Sequence, residues 1–471
     1  MRTFATAVIA TLLLAAPLAA AETTRIPEAA LARAEGLRAQ ALADDTAWRV
    51  IESLTTEVGP RLAGSEADAR AVAWAKAKFA ELGYERIWTE PVTFPKWERR
   101  HESARVVGAH AQPLAVTALG GSPAGIVEGE VVRFDSLAAL EGAAPGSLAG
   151  KLAFVDLPMP RGRDGHGYGL VSQARYGGPS AAIRAGAIGF LLRSAGTGSH
   201  RHPHTGGTHF APGLAPIPAA ALALPDADQL ARLTALGPTR VRLELDCGWN
   251  GEYTSENVIG EIAGSGDGDE MVVIGGHLDS WDLGTGAIDD GAGIGITMAA
   301  GHLIGRLPRA ERPARRIRVI AFANEEGGLV GGRAYAEAHH EAVRTHLIGA
   351  ESDLGAGRIY AFATKVPEHA REAAAQLAAA LAPLGIEYRP DTDGCGPDLY
   401  PIHGHGMACA ALQQDATRYF DVQHSAADTL DAIDREELAQ NVAAYTLFAF
   451  LAAAAEGDFG SAPQTPPPSP W

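Results

Sequence analysis

Cysteine is scarce in this chain, with only three among 471 residues. They are Cys247, Cys395 and Cys409, and neither a C-x-x-C pair nor a clustered cysteine and histidine spacing occurs. A disulfide-rich scaffold and a cysteine-based structural zinc site are therefore excluded. The spacing leaves two states open for Cys395 and Cys409, which either form a disulfide or are buried free thiols.

Positive charge is also in short supply, and internal repeats are absent. The chain has 39 Lys and Arg residues against 56 Asp and Glu, which gives a net charge of -17. Without a long basic run, this balance argues against nucleic acid as a partner. A length of 471 residues is enough for two or three domains with sizeable cores.

The N-terminus has the pattern of a secretory signal peptide. A short basic start at Arg2 is followed by an apolar segment, 4–20, and by three alanines before Glu22. The pattern predicts cleavage after residue 21 and a secreted or periplasmic protein with no stable membrane association. An N-terminal membrane anchor is the alternative.

Residues 271–293 are the stretch around which the chain is organised, and they read MVVIGGHLDSWDLGTGAIDDGAG. The apolar run 271–274 predicts a buried strand of an α/β sheet. His277 and Asp279 follow it, and open α/β sheets bind ligands beyond the carboxyl ends of their strands. Asp289 and Asp290 lie in a glycine-flanked loop that allows the backbone to pack closely around an ion.

Three further predicted strands are also followed by acidic residues or by histidine. They are 317–323, which leads to Glu325 and Glu326; 347–350, which leads to Glu351 and Asp353; and 407–412, which leads to His424. One such residue alone is more often a turn or a structural histidine. Recurrence at four strand ends instead predicts a shared site.

The rest of the sequence predicts helices on either side of a segment with a different amino-acid composition. Helices are predicted at 28–43, 46–57, 69–82, 294–304 and 434–455, and a strand at 87–94. Between about 105 and 245 the chain is rich in glycine and valine, with short apolar runs and few long helices, which favours a β-rich insertion. Residues 462–471 are rich in proline and predict a disordered tail.

Three polar features have competing interpretations. The loop 199–209 contains four histidines, which suggest either a metal site or a surface loop at a pocket edge. Asp398, in the glycine-rich loop 393–399, either lines a specificity pocket or belongs to a surface loop. Asp290 is interpreted as a turn or helix-capping residue rather than a ligand.

A resemblance to a known family covers about 59–453. The hallmarks are GPRLAGS from Gly59, YGGPSAAIRAGAIGFLLRS from Tyr176, HPHTGG from His202, GGHLDSWDLGTGAIDDGAG from Gly275, NEEGG from Asn324, ESD from Glu351 and YFDVQHSAADTLD from Tyr419. In this density and order they resemble the M28 family of zinc peptidases, in particular its carboxypeptidase Q-like branch. Gln423 and Asn324 depart from the commoner family residues, as do Cys395 and Pro397.

The resemblance implies a three-layer α/β zinc-exopeptidase domain with a central mixed sheet and an inserted β-rich, protease-associated-like domain. The segments expected on this basis are a signal peptide (1–21), the N-terminal part of the peptidase domain (22–104), the insertion (105–250), the peptidase domain with the metal site (251–456) and a proline-rich tail (457–471).

The family pattern also implies two zinc ions. His277 and Asp353 would hold one ion, Glu326 and His424 the other, and Asp289 would bridge them. Glu325 would be the general base for a metal-bridging hydroxide, Tyr419 would stabilise the oxyanion, and Asp279 would orient His277. Ligand type alone also allows manganese or cobalt.

The implied activity is hydrolysis of short peptides or dipeptides, with a free N-terminus as the favoured point of attack. A carboxypeptidase acting on dipeptides is the alternative, and the likeness allows a homodimer. Two rivals from other classes are a metal-free, receptor-like binding protein and a one-zinc glutaminyl cyclase.

Overall fold

A computed structural model describes residues 23–466 of the chain. The predicted signal peptide, 1–21, lies outside these residues. None of the helices described in 23–466 has the length and apolar character needed to cross a bilayer.

Helices and strands alternate along most of the chain. The helices are α1 (Glu28–Ala43), α2 (Thr46–Ser53), α3 (Glu66–Glu81), α4 (Leu137–Glu141), α5 (His166–Arg184), α6 (Leu224–Leu236), α7 (Ala292–Gly305), α8 (Val330–His339), α9 (Arg371–Leu381), α10 (Tyr400–Gly404) and α11 (Arg435–Ala454). The strands are β1 (Arg86–Val107), β2 (Gln112–Leu114), β3 (Val116–Ala118), β4 (Gly125–Phe134), β5 (Leu152–Val155), β6 (Gly189–Arg193), β7 (Ala219–Leu222), β8 (Arg240–Ile262), β9 (Met271–His277), β10 (Arg316–Phe322), β11 (His346–Glu351), β12 (Ile359–Thr364), β13 (Glu387–Pro390) and β14 (Ala410–Gln414).

A mixed central sheet runs through the part of the molecule that contains the predicted site. Strands β11, β9 and β10 are parallel neighbours in that order, and β8 pairs antiparallel with β10. A second sheet, in the order β13, β12, β14, adjoins the edge of β11 through a parallel bridge between Gly349 and Cys409. The parallel arrangement places the carboxyl ends of β9, β10 and β11 side by side.

The central sheet is the middle of three layers. Val272 and Ile274 of β9 share a core with α7 and α11 on one face. Val273 and Met271 belong to a separate core with Tyr335 of α8 and other residues of the opposite face. Successive strand residues point to opposite faces, so β9 is apolar throughout because both of its faces are covered. The predicted α/β fold with a mixed central sheet is confirmed.

The 105–250 segment is mixed α/β rather than β-rich. Its strands β4, β5, β6 and β7 are parallel neighbours, and α4, α5 and α6 pack with them. The sequence 176–194 predicts a helix that leads into a strand, and the structure has the second half of the 19-residue α5 followed by β6 there. A separate β-rich domain is not confirmed, because β4 pairs with β8 and the sheet continues without a break from one part to the other.

Strands β1 and β8 form the connection between the two parts. They pair antiparallel from Arg86 with Glu261 to Val107 with Arg240, with two register shifts near Trp97 and Arg99. Their side chains are half-buried or exposed over much of this length, so the sequence predicted only short pieces of each strand.

The local predictions for several helices are confirmed. Helix α1 spans the predicted residues 28–43, and Ser65 caps α3 by accepting a hydrogen bond from the backbone N–H of Asp68 at 3.2 Å. The first residues of the segment expected as a proline-rich tail (457–471) pack against the fold. Phe459 is buried, and Ser461 Oγ donates to the carbonyl oxygen of Leu347 at 3.0 Å, which fixes this stretch against β11.

Candidate metal centre

Two histidine and three carboxylate side chains meet near the ends of the parallel strands, with Asp289 between the two histidines. His277 ends β9, Glu326 follows β10 and Asp353 follows β11, while Asp289 and His424 come from loops. His277 Nε2 lies 3.0 Å from Asp289 Oδ1 and 3.3 Å from Asp353 Oδ1. His424 Nε2 lies 3.1 Å from Asp289 Oδ2 and 3.0 Å from Glu326 Oε2. The structure therefore brings together all five side chains expected from the sequence.

The donor set fits metal ions. His277, Asp289 and Glu326 offer ligand atoms that lie within 4.8 Å of one another. Glu326 Oε1 is buried and has no hydrogen-bond partner among residues 23–466. Burying an uncompensated carboxylate oxygen costs several kcal/mol, and a bound cation removes that penalty. Imidazole and carboxylate ligands in this number are typical of zinc sites.

The histidines and carboxylates of the cluster shift one another's pKa values. Burial lowers the pKa of His277, yet Asp353 and the hydrogen bonds to carboxylates raise it well above its ordinary value. Burial likewise lowers the pKa of His424, and Glu326 raises it above the ordinary value. Burial raises the pKa of Asp289, but the hydrogen bonds from both histidines lower it overall. Asp289 is thus the carboxylate that both imidazoles stabilise in its charged form.

Glu325 and its neighbour are held in place by Asp279. The backbone N–H of Glu325 donates to Asp279 Oδ1 at 3.0 Å, and that of Glu326 donates to Oδ2 at 3.4 Å. His277 Nδ1 lies 3.1 Å from the carbonyl oxygen of Asp279 and 3.6 Å from its Oδ1. The main chain of Asp279 therefore makes the closer contact with the imidazole, while its carboxylate orients the Glu pair.

Glu325 lies in a low-dielectric, acidic environment. Burial raises its pKa well above the ordinary value, His277 opposes that shift, and Asp353 and Glu326 add to it. A carboxylate with a raised pKa is a stronger proton acceptor than one in water.

The loop before α7 is fixed by two side chains that the sequence did not single out. Asp428 accepts hydrogen bonds from the backbone N–H groups of Ala287, Ile288 and Asp289 at 2.8, 2.7 and 3.2 Å. Arg61 is fully buried and donates to the carbonyl oxygens of Leu278, Thr285 and Gly286. The only sequence signal was their position inside the GPRLAGS and ADTLD motifs.

Asp290 acts as a cap, as interpreted from the sequence. Its Oδ1 accepts from the backbone N–H of Gly293 at 2.9 Å, and its Oδ2 accepts from that of His277 at 3.0 Å. A side chain on Gly293 would place its Cβ 1.9 Å from the carbonyl oxygen of Ser352, so only glycine fits there. This close approach brings α7 against the ends of β9 and β11.

Tyr419 and Trp281 border the cluster. Burial raises the pKa of Tyr419 well above its ordinary value, and the charges of Asp289 and Asp353 raise it further. Trp281 Nε1 donates to Glu326 Oε2 at 2.6 Å. Trp281 carries no charge and did not stand out in the sequence.

The loop 393–399 lies beneath the site. Asp398 is fully buried, so the surface-loop interpretation is wrong, and its Oδ1 accepts from the backbone N–H of Gly332 at 3.1 Å. Its own N–H donates to Glu351 Oε2 at 2.8 Å. A disulfide joins Cys395 to Cys409, and Cys247 is a buried free thiol.

The four histidines of the loop 199–209 do not form a metal cluster within the described part of the chain. His200, His202 and His209 are exposed, whereas His204 is buried. The neighbouring Thr205, however, contacts His424 through its main chain.

Comparisons with known proteins agree with this geometry. The model of peptidase family M28 matches residues 257–449. Carboxypeptidase Q of Xenopus laevis is 31% identical over 400 residues, which cover 84% of this chain and 83% of the relative. The chain belongs to peptidase family M28. This M28 enzyme is a metallopeptidase, in agreement with the sequence analysis.

Two further relatives extend the comparison. Carboxypeptidase Q of Rattus norvegicus is 32% identical over 405 residues, covering 85% of this chain and 84% of the relative. The crystal structure of a peptidase M28 precursor from Shewanella amazonensis SB2B has a TM-score of 0.89 and 44% identity, over 94% of this chain and 100% of that one. BSAP, a zinc aminopeptidase from Bacillus subtilis, has a TM-score of 0.61 at 18% identity, over 86% and 94% of the two chains, and shares the fold.

Proposed function

We propose that this M28 enzyme is an exported exopeptidase that uses two zinc ions to hydrolyse short peptides and dipeptides at a free N-terminus. One observation carries the two-ion proposal. The two oxygens of Asp289 face different imidazoles, Oδ1 that of His277 at 3.0 Å and Oδ2 that of His424 at 3.1 Å. A carboxylate in this position can bridge two cations. Asp353 would complete the ligands on the His277 side, and Glu326 those on the His424 side.

The choice of zinc rests on the ligands and on the relatives. Two imidazoles and three carboxylates suit zinc, and the Bacillus subtilis neighbour is named a zinc aminopeptidase. Bound zinc would supply Lewis acidity that acidifies water and polarises the scissile carbonyl.

Glu325 would move the proton in this reaction. Its carboxylate would accept a proton from the attacking water and then donate it to the nitrogen of the leaving amine. The raised pKa of Glu325 favours the first transfer, because burial and the neighbouring carboxylates make its charged form a better base. Asp279 would fix the position of the acceptor through the backbone N–H of Glu325.

Tyr419 would stabilise the negative charge that develops on the carbonyl oxygen. Its phenol is buried beside Asp289 and Asp353, and its raised pKa keeps the proton on the oxygen, so that it can donate a hydrogen bond. A donor of this kind is worth roughly 3 kcal/mol in the transition state.

The acidity of the surroundings supports a free N-terminus as the point of attack. In addition to burial, the charges of Asp353 and Asp398 raise the pKa of Glu325, and that of Asp353 raises the pKa of Asp398, so the surroundings of the site are acidic. An α-ammonium group is attracted to such a site, whereas a terminal carboxylate is repelled unless the metal ions bind it. The names of the carboxypeptidase Q relatives favour a second candidate, a carboxypeptidase that acts on dipeptides.

Metal content tests the two-ion proposal. We expect two zinc equivalents per chain by mass spectrometry of the purified enzyme, and a return of activity when zinc is added to the chelated protein. One equivalent would favour a cyclase-like site, and none would favour a binding protein.

A panel of dipeptides, free or blocked at either end, tests the polarity. We expect N-acetylation to abolish hydrolysis and C-terminal amidation to reduce it less. Equal rates for acetylated and free peptides would contradict attack from the N-terminus and favour the carboxypeptidase.

Export is tested by sequencing the N-terminus of the protein recovered outside the cytoplasm. The signal pattern predicts a mature chain that begins near Glu22. Recovery of the full-length chain in the membrane fraction would favour the anchor.

A further inference from the structure

Thr205, in the 105–250 segment, contacts the proposed metal ligand His424 on the side of the ring opposite Asp289 and Glu326. His424 Nε2 faces Asp289 and Glu326, while its Nδ1 lies 3.3 Å from the carbonyl oxygen of Thr205. A carbonyl oxygen can only accept, so Nδ1 carries the hydrogen in this contact. The lone pair is then on Nε2, which is the atom that faces the cluster.

A second hydrogen bond joins the same two residues in the opposite direction. The backbone N–H of Thr205 donates to the carbonyl oxygen of His424 at 2.9 Å. His424 has a φ of 58°, a left-handed conformation that residues other than glycine seldom adopt. The two bonds therefore fix both the main chain and the ring of a residue whose backbone is not in its preferred state.

Thr205 is itself fixed by side chains that are buried. Its Oγ1 donates to the carbonyl oxygen of Ala118 at 2.8 Å and accepts from Arg99 at 3.3 Å. Arg175 donates to the carbonyl oxygens of Thr205 at 3.4 Å and of Gly207 at 3.2 Å. Each of these contacts lies within β1 or the 105–250 segment.

Arg175 is unusual for a buried cation. Its exposed fraction is 3%, and its guanidinium donates hydrogen bonds to phenol and carbonyl oxygens of the described residues 23–466 rather than to a carboxylate. It donates to the phenol oxygen of Tyr168 at 2.9 Å and to the two loop carbonyls, and its guanidinium lies over the rings of Tyr168 and Tyr176. A buried charge costs free energy unless its hydrogen bonds are made, so the loop is held firmly in the conformation that satisfies Arg175.

We propose that Thr205 and Arg175 are positioning residues for the ion bound by His424 and Glu326, and that the 105–250 segment is thus a working part of the metal centre. The inference rests on the proposed two-ion function. His277 has no such contact, because its Nδ1 is held by Asp279 within its own part of the chain. Loss of the Thr205 contacts should therefore weaken the binding of the ion held by His424 and Glu326 and leave the affinity for the ion held by His277 and Asp353 unchanged.

The test compares Thr205→Val with Thr205→Ser. Valine has nearly the same shape as threonine but cannot make the two Oγ1 hydrogen bonds, whereas serine keeps the hydroxyl. Zinc affinity at each site is measured by chelator competition, and Co²⁺ absorption spectra report the ligand geometry. A His424→Gln variant supplies the reference for protein that keeps only the other ion.

We expect Thr205→Val to bind one ion about 10-fold more weakly, because loss of the Oγ1 hydrogen bonds loosens the loop whose main chain holds His424, with the second ion unchanged. Thr205→Ser is expected to bind both ions within about twofold of the wild type, as the retained hydroxyl keeps the loop in place. Arg175→Gln should repeat the Thr205→Val result, and Arg175→Lys should restore part of the affinity because it keeps a cationic donor.

Two results overturn the inference. One is wild-type affinity for both ions in Thr205→Val, and the other is an equal loss at both sites, which would mean general destabilisation. If Thr205→Val does not fold, the Arg175 pair decides by the same criteria. A wild-type enzyme that binds fewer than two ions would contradict the proposed function. If the wild type binds two ions and the variants bind both with wild-type affinity, only this inference is contradicted.

Discussion

Replacing Glu325 by glutamine tests the proposed proton acceptor with little change in shape. The side-chain length is kept, and the hydrogen bond to Asp279 survives because the backbone N–H of Glu325 donates it, at 3.0 Å. The metal ligands also remain, since none of the four close contacts among the proposed ligands involves Glu325. The substitution therefore removes only the ability of this side chain to accept and donate a proton.

The expected loss follows from that single change. General base catalysis contributes about 10²- to 10⁴-fold, so kcat should fall by that factor, or roughly 3 to 5 kcal/mol in the activation barrier. Stability should not fall. Burial and the charges of Asp353 and Glu326 raise the pKa of Glu325, so they disfavour its charged form, and neutral glutamine relieves that repulsion.

The assay measures kcat on a saturating dipeptide together with zinc content and thermal unfolding. Glu326→Gln is the matched control, because Glu326 Oε2 lies 3.0 Å from His424 Nε2 and this variant should lose metal instead. A Glu325→Gln enzyme that holds two zinc ions and keeps more than a tenth of the wild-type kcat would refute the assignment.

Three further predictions concern the oxyanion, a buried carboxyl and the disulfide. Tyr419→Phe should lower kcat about 10²-fold with little change in KM, as measured by steady-state kinetics, and an unchanged kcat would remove Tyr419 from the mechanism. Burial raises the pKa of Asp68 to about 6, so the folded state binds its proton more tightly than the unfolded state, and this contribution to stability is lost as the pH rises from about 4 to 6. Asp68→Asn lacks that loss, and should gain about 3 kcal/mol on the wild type between pH 4 and pH 7 in denaturant titrations; parallel curves would contradict the burial argument. Cys409→Ser opens the bridge to Cys395, which closes a loop with a sequence separation of 14, and should lower the free energy of unfolding by about 3 kcal/mol; an equal loss in the reduced wild type is the control.

The sequence predicted His277, Glu326 and Asp353 because they end or follow strands with a clear apolar pattern. Strands β9, β10 and β11 are almost wholly buried, so their runs of valine, isoleucine and alanine are easily recognised. The parallel order of such strands then places the residues that follow them at one edge. His424 depended more on the family motif, because a long loop separates it from β14.

The supporting contacts could not be predicted in the same way. Arg61 and Asp428 act on the Asp289 loop from 224 and 139 residues away, as measured by their hydrogen bonds to Thr285 and Asp289, and neither lies in a periodic pattern. Thr205 acts through its main chain, which leaves no mark in the choice of side chain. Tertiary contacts of this kind depend on the fold and have no local signature.

The ribbon of β1 and β8 has a consequence for how substrates reach the centre. The same two strands run through both parts of the molecule with an almost continuous ladder of hydrogen bonds. A large rotation of the 105–250 segment would have to bend this ribbon and would separate Thr205 from His424. We therefore expect substrate entry and product escape to use small movements of loops and side chains rather than a large rotation of this segment.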